Sequence, residues 1–226
     1  SDEYSCEMVT PILQYEDLDD LQNIVRKLRD AGAIANDSCG IHVHVDGKNH
    51  TADSLINLVN LFTGRQDLFY EALQNQDRAG RWCQKTSKEM MKAMRKGEHT
   101  KEAIERVYYS RLNNGYSGRI DHSHYCNARY RGLNLHALYT KGTVEFRLFN
   151  GTTHAGKIKA YIQFCLAMSA WAINADKVPF FKSTEDFTME QKAKIMTNFL
   201  KNRLQMSGKE FATARQHLTA AFKNIA

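Results

Sequence analysis

The 226-residue sequence lacks the features that mark several large classes of protein. Its longest strongly apolar run, YIQFCLAMSAWAI, is shorter than the ~20 residues that cross a bilayer. No signal peptide, low-complexity stretch or internal repeat is evident. We therefore expect a folded domain in the cytoplasm, without a membrane partner.

Cysteine is scarce and widely spaced. The five cysteines stand at positions 6, 39, 83, 126 and 165, an odd number with no zinc-finger spacing between any pair. This distribution argues against a disulfide framework and favours a reducing compartment. No serine or cysteine lies in a recognisable nucleophile motif, and Cys39 and Cys126 are expected to be small packing residues.

The common glycine-rich nucleotide motifs are also absent. Neither GxxxxGK[ST] nor GxGxxG occurs, which argues against a P-loop or a Rossmann site. The formal net charge of +6 suits phosphate-bearing or acidic ligands. The most basic segment, residues 77–111, has few interleaved aromatic residues on which bases could stack. We expect it to be a solvated helical face, with contact to a polyanion as the alternative, and nucleic acid is disfavoured as a partner.

Periodic patterns predict about four strands among six or seven helices, which favours an α+β fold. The expected strands are EYSCEMVTPIL, CGIHVHVDG, YRGLNLHAL and GTVEFRLFN, the last two joined as a hairpin through YTKG. The stretch HAGKIKAYIQFCLAMSAWAINA predicts a mostly buried helix, and two further helices follow. We expect a catalytic domain over residues 1–175 and a helical C-terminal extension over 176–226.

The stretch CGIHVHVD places polar side chains on one face of a strand. Because side chains alternate along a strand, His42, His44 and Asp46 share one face and the apolar residues between them share the other. Imidazole and carboxylate are good ligands for Mg²⁺, Mn²⁺ or Zn²⁺. The alternative is an ordinary strand with one solvent-exposed face.

The stretch GTVEFRLFN repeats this pattern with Glu145 and Arg147. The two could simply pair as a salt bridge. Alternatively, Glu145 supplies metal-binding oxygens and Arg147 holds a phosphate or carboxylate with its planar fork. Arg129 and Arg131 precede the predicted hairpin and add positive charge, and Glu7 is a carboxylate within the first predicted strand. Together the strands predict a sheet whose concave side binds metal and anion.

Four segments, in this order and spacing, resemble the amidoligases of the glutamine synthetase and glutamate–cysteine ligase superfamily over roughly residues 4–170. They are EMVTPIL, CGIHVHVD, RYRGLNL and GTVEFRLFNGT. The resemblance implies a curved antiparallel sheet, like the glutamine synthetase catalytic domain, that binds ATP and Mg²⁺, with Mn²⁺ as an alternative ion. ATP would phosphorylate a small-molecule or peptide carboxylate, and an amine would attack the acyl phosphate to form an amide.

The same resemblance implies a role for each matching residue. The implied metal ligands are Glu7, His42, His44 and Glu145, and His44 would also lie near the nucleotide phosphates. Arg147 would stabilise the transferred phosphoryl group or hold the substrate carboxylate, and Arg129 or Arg131 would assist it.

One departure from the family keeps other functions open. The family normally begins with a G-x-E-x-E strand that supplies further metal carboxylates, and this sequence contains no such strand. A non-catalytic, degenerate binding module is therefore one alternative. A hydrolase that uses His42, His44 and Glu145 around zinc-bound water is another. The sequence does not identify the acid, the amine or the oligomeric state.

Overall fold

A small antiparallel sheet lies at the centre of the molecule. The computed structural model describes residues 5–113, 118–176, 178–179 and 181–223. Within this part, the sheet has three strands in the order β1-β3-β2, and both pairings are antiparallel. The strands are β1 (Gly40–Asp46), β2 (Leu133–Asn134) and β3 (Thr143–Asn150).

Helices account for most of the regular structure and cover the apolar face of the sheet. The α-helices are α1 (Leu18–Asp30), α2 (Ala52–Thr63), α3 (Gln66–Ala72), α4 (Lys88–Lys96), α5 (Lys101–Tyr108), α6 (His136–Lys141), α7 (Ala155–Asn174), α8 (Met189–Asn198) and α9 (Ala212–Thr219). A π-helical turn, Phe199–Arg203, continues α8. This mixture of helices with an antiparallel sheet confirms the predicted α+β class at the level of secondary structure.

The alternation of side chains builds β1 and β3 as the sequence predicts. In β1, Val43 and Val45 are buried, while His42, His44 and Asp46 face outward. In β3, Val144, Phe146 and Leu148 are fully buried on the apolar face. A β-bulge between Ile41 and Val43 interrupts the register near the start of β1.

Two strand predictions were wrong in part. The predicted YTKG hairpin is replaced by α6, and only Leu133 and Asn134 of the preceding segment pair with β3. Gly142 ends α6 with a left-handed φ of +72°, which glycine adopts without steric cost. The glycine that suggested a hairpin turn is therefore a helix C-cap.

The predicted N-terminal strand is also absent. Residues 5–14 have no regular secondary structure and pair with no described strand, and Val9 and Ile12 are largely exposed. A strand forms only where a neighbour completes its backbone hydrogen bonds, and no described segment does so here. The prediction of a strand over EMVTPIL is therefore wrong within the described part of the chain, because its apolar residues find neither a strand partner nor a buried face there.

The hydrophobic core joins the sheet to helices that lie before and after β3 in the sequence. Phe62, Phe69, Phe146, Phe164 and Phe199 form a chain of ring contacts with centroids 5.2 to 6.4 Å apart. The predicted buried helix is α7, which packs against α1, α2, α9 and β1. Residues from the last two helices belong to the same hydrophobic cluster as the sheet. The division at residues 175 and 176 stays a prediction.

Across the described ranges, none of the helices combines the length and the apolar character that crossing a bilayer requires.

Candidate functional site

Polar side chains line up across all three strands on the face opposite the apolar core. His44 of β1 and Asn134 of β2 both lie directly opposite Glu145 of β3. His42 and Arg147 lie on the same face, one step along the strands. Glu145, Arg147 and Asn134 are 4%, 5% and 1% exposed, whereas the two imidazoles are nearer the surface. We call these five residues the Glu145 cluster.

Glu145 is the centre of the contacts in this cluster. Its Oε1 accepts a hydrogen bond from Arg147 Nη1 at 2.8 Å and lies 3.3 Å from His42 Nδ1 and 3.7 Å from His44 Nε2. Its Oε2 accepts a hydrogen bond from Asn134 Nδ2 at 2.6 Å. The structure therefore brings together His42, His44, Glu145 and Arg147, four of the residues predicted from the sequence.

The protonation states of the cluster follow from its partial burial. Desolvation lowers the pKa of His42 to about 4, and the charge of Arg147 adds to this effect. Desolvation also lowers the pKa of His44. Burial alone would raise the pKa of Glu145, but Arg147, the imidazoles and the hydrogen bond from Asn134 lower it overall. At neutral pH the cluster therefore holds two neutral imidazoles, an ionised carboxylate and a guanidinium.

The described side chains do not make a complete metal centre. No group of three or more His, Cys, Asp or Glu residues in the described ranges is arranged to hold a metal ion. Arg147 Nη1 lies 2.8 Å from Glu145 Oε1 and 3.3 Å from His42 Nδ1, so the guanidinium contacts two of the atoms that were predicted to bind metal. Mg²⁺ needs several oxygen ligands, and the Glu145 cluster contains one carboxylate. The arrangement also does not favour a zinc hydrolase.

Three predicted site residues lie elsewhere or are committed to other contacts. Glu7 is exposed and has neither a hydrogen bond nor an ion pair with any described residue. Arg131 is buried, and its guanidinium donates to Asn113 and Gln84 at 2.7 to 3.0 Å, so it links loops of the interior. Arg129 is half-buried and lies over the ring of Tyr130. Of the two arginines predicted to assist Arg147, Arg129 is the one whose position leaves it accessible.

The site also contains an arginine, Arg78, that the sequence analysis did not assign to it. Arg78 belongs to the basic segment predicted to be solvated, yet it is half-buried and donates from Nη1 to the Cys39 carbonyl at 2.8 Å. A Cβ at Gly40 would lie 2.5 Å from Arg78 Nη2 and 3.5 Å from His42 Nε2, so both groups lie above this glycine. No local pattern reveals a contact between residues this far apart in sequence.

Asn134 was assigned no role in the site from the sequence. Its amide oxygen accepts hydrogen bonds from the His136 backbone at 2.8 Å and from Tyr108 Oη at 3.2 Å. Its orientation is thereby fixed, so that Nδ2 points to Glu145.

An open hollow of about 540 Å³ lies at the Asp46 end of β1. Lys48, Lys101 and Lys141 line it together with Asp46, Glu102 and Glu105. Three positive and three negative side chains give this hollow no preference for either sign of ligand charge.

Comparison with known proteins gives one result. A family model described as "Putative amidoligase enzyme" matches residues 1–169, which include β1, β2, β3 and the whole Glu145 cluster. The comparisons with curated proteins and with solved structures gave no match. Because the family model covers well over half of the sequence, the chain belongs to this amidoligase family.

Proposed function

We propose that the chain is an ATP-dependent carboxylate–amine ligase whose chemistry takes place over the Glu145 cluster. Membership of the amidoligase family supports a ligase. The observation that carries the proposal is the buried Arg147–Glu145 pair, flanked on one sheet face by two neutral, partly exposed imidazoles. This arrangement offers positive charge and proton acceptors side by side.

The reaction has two balanced steps. A substrate carboxylate oxygen attacks the γ-phosphorus of ATP, and ADP leaves to give an acyl phosphate. An amine then attacks the acyl carbon, phosphate leaves, and the amine nitrogen loses a proton as the amide forms. The first step concentrates negative charge on the transferred phosphoryl group, and the second needs a base.

The residues of the cluster suit these two needs. Arg147 offers guanidinium N–H groups that can neutralise charge developing on phosphoryl oxygens. His42 and His44 are neutral at pH 7 because their pKa values are lowered, so either can accept the proton of the attacking amine. Since the described residues do not complete a metal centre, no step of this proposal depends on a bound ion.

Hydroxylamine provides a test that does not require the natural amine. It intercepts acyl phosphates as hydroxamates, so the protein should produce hydroxamate and ADP in equal amounts when supplied with ATP and a panel of carboxylates. Arg147→Gln should abolish both products, whereas Lys92→Gln on the exposed face of α4 should not affect them. Hydroxamate formation without ATP, or at an unchanged rate in Arg147→Gln, would show that the proposed chemistry is wrong.

A further inference from the structure

Two arginines from distant parts of the chain lie near each other on the helical side of the molecule. Arg65 stands between α2 and α3, and its guanidinium carbon lies over the ring of Phe181, 4.4 Å from the centroid. Arg203 ends the π-helical turn after α8, and its guanidinium carbon lies 5.3 Å from the ring centroid of Trp171 in α7. Burial lowers the pKa of Arg65, and the nearby charge of Arg203 lowers it further. We call Arg65 and Arg203 the arginine pair.

The arginine pair is separate from the Glu145 cluster in both structure and sequence. Residues of α2 and α7 belong to the hydrophobic cluster that covers the apolar face of the sheet, whereas the Glu145 cluster lies on the opposite face. Trp171, Phe181 and Arg203 also follow residue 169, where the match to the amidoligase family ends. A ligand at the arginine pair would therefore not take part in the proposed ligase chemistry.

The positive charge of the arginine pair is not balanced within the described ranges. Arg65 donates from Nη1 to the carbonyl oxygens of Lys182 at 2.9 Å and Gly64 at 3.5 Å. Arg203 makes no hydrogen bond with a described residue, and neither arginine forms an ion pair with a described carboxylate. Both side chains are half-buried, so their mutual repulsion is only partly screened by water. A bound anion would relieve this repulsion.

The aromatic rings leave the guanidinium groups free to bind such an anion. A contact with a ring uses the face of the planar group, whereas hydrogen bonds to an oxyanion use its edge. Both side-chain hydrogen bonds of Arg65 come from Nη1, so its Nε and Nη2 have no acceptor among the described residues. These two N–H groups form the edge that binds an oxyanion through parallel hydrogen bonds.

We propose that Arg65 and Arg203 form a binding site for a doubly charged oxyanion, either inorganic phosphate or a phosphate monoester. A phosphate group carries about −1.5 to −2 charge at pH 7 and matches two guanidinium groups, whereas a carboxylate carries one charge. Because the arginines come from the α2–α3 junction and from the turn after α8, a ligand that binds both would stabilise the packing of the C-terminal helices on the core.

Trp171 provides a local reporter for this site. The chain has two tryptophans, so Trp82→Phe leaves Trp171, beside Arg203, as the single one. In this background we would titrate sodium phosphate and, separately, O-phosphoserine, with sodium acetate at matched ionic strength as the carboxylate probe. Both phosphate compounds should change the fluorescence with saturation, and acetate should not. Tighter binding of O-phosphoserine would identify a monoester as the ligand, and tighter binding of phosphate would identify the free ion.

Substitutions separate the arginine pair from general positive charge. Arg65→Gln and Arg203→Gln should each weaken phosphate binding about 10-fold or more, the loss expected for a charged hydrogen bond. Arg203→Lys retains the charge without the fork and should give an intermediate loss. Lys201→Gln removes the same charge from an exposed position of the same π-helical turn and should leave the dissociation constant within about 2-fold.

Thermal unfolding gives a second measurement. Saturating phosphate should raise the midpoint of the wild type and of Lys201→Gln, and should raise that of Arg203→Gln much less. Circular dichroism would establish that each variant is folded. If Arg65→Gln does not fold, the comparison of Arg203→Gln with Lys201→Gln still decides the result.

Several outcomes would overturn the inference. They are an absence of any Trp171 response at millimolar phosphate, equal affinity for acetate, wild-type affinity in Arg203→Gln, and an equal loss in Lys201→Gln. Phosphate binding at Trp171 and hydroxamate formation are separate readouts, so the failure of either proposal can be told from the failure of the other.

Discussion

Glu145 stays ionised although only 6% of its side chain is exposed, because other residues offset the cost of burying its charge. Arg147 pairs with one oxygen and Asn134 donates to the other. Both oxygens are therefore held in fixed directions, and the imidazoles lie on the solvent side. At the residue scale, the site is a carboxylate that positions a guanidinium and two bases.

Removing Arg147 should destabilise the protein more than removing the whole pair. Arg147→Met leaves Glu145 as a buried carboxylate without its main partner, and we expect the free energy of unfolding to fall by roughly 3–5 kcal/mol at pH 7. The loss should shrink as the pH falls and Glu145 becomes protonated. Urea unfolding at two pH values measures both effects.

The double variant Glu145→Gln/Arg147→Met is the control for this prediction. It removes the uncompensated charge and should recover most of the lost stability. A single variant no less stable than the double variant would contradict the assigned pairing.

At the scale of elements, His50 links two helices that flank the core. Its Nδ1 lies 2.9 Å from Ser54 Oγ of α2, and its Nε2 lies 2.8 Å from Ser169 Oγ of α7. The residue is 2% exposed, and burial lowers its pKa to about 4. His50 is thus neutral in the folded protein at neutral pH, and its two hydroxyl partners cannot compensate a positive charge.

Acid should weaken this link. Between pH 6.5 and about 4 the unfolded chain binds a proton at His50 and the folded chain does not, so the contribution of His50 to stability is present above pH 6.5 and is lost below it. The loss should amount to roughly 3 kcal/mol by pH 4. We would measure unfolding against pH in the wild type and in His50→Gln, which cannot titrate. Parallel pH curves for the two proteins would contradict the prediction.

Gly142 ends α6 in the left-handed conformation and so sets the start of β3. A Cβ at this position would have no atom within 4 Å, so the cost of a side chain here is backbone strain alone. Gly142→Ala should lower the free energy of unfolding by about 1 kcal/mol, and Gly142→Asn by less, because asparagine tolerates this conformation. Chemical denaturation distinguishes the two, and an alanine variant as stable as wild type would show that the cap is unimportant.

The sequence predicted the part of the site that follows from the alternation of side chains along a strand. Alternation in β1 and β3 was enough to place His42, His44, Glu145 and Arg147 on one face. It could not show that residues 136–141 form a helix, because a short apolar stretch before a glycine fits a helix with its cap as well as a hairpin. Nor could it find Arg78, whose contact with the start of β1 depends on how the intervening helices fold.

At the scale of the whole molecule, the C-terminal helices share the core of the sheet. Phe199 packs against Phe69 at 5.4 Å, and Leu200 and Leu218 are almost fully buried in the same cluster. In the described structure, residues after 175 therefore contribute to the hydrophobic core against which the sheet packs.

Truncation after Ala175 should therefore prevent cooperative folding rather than release an independent domain. It removes Phe199, one of the three ring partners of Phe69, and exposes apolar surface from α3 and α7. Thermal unfolding followed by circular dichroism measures the effect, and Phe199→Ala, which we expect to cost about 3–5 kcal/mol, provides a milder comparison. A truncated chain with a sharp transition near that of the full chain would instead support the division at residue 175.

The absence of a side chain at Gly40 determines how a substitution there would affect this region. A methyl group there would collide with the end of Arg78 and crowd the outer nitrogen of His42. Replacing Gly40 with alanine would change no charged residue. It would nevertheless alter the local electrostatics, because it would displace the Arg78 guanidinium. Variation at this position therefore has the potential to retune ligand preference while every ionisable group in the sequence is retained.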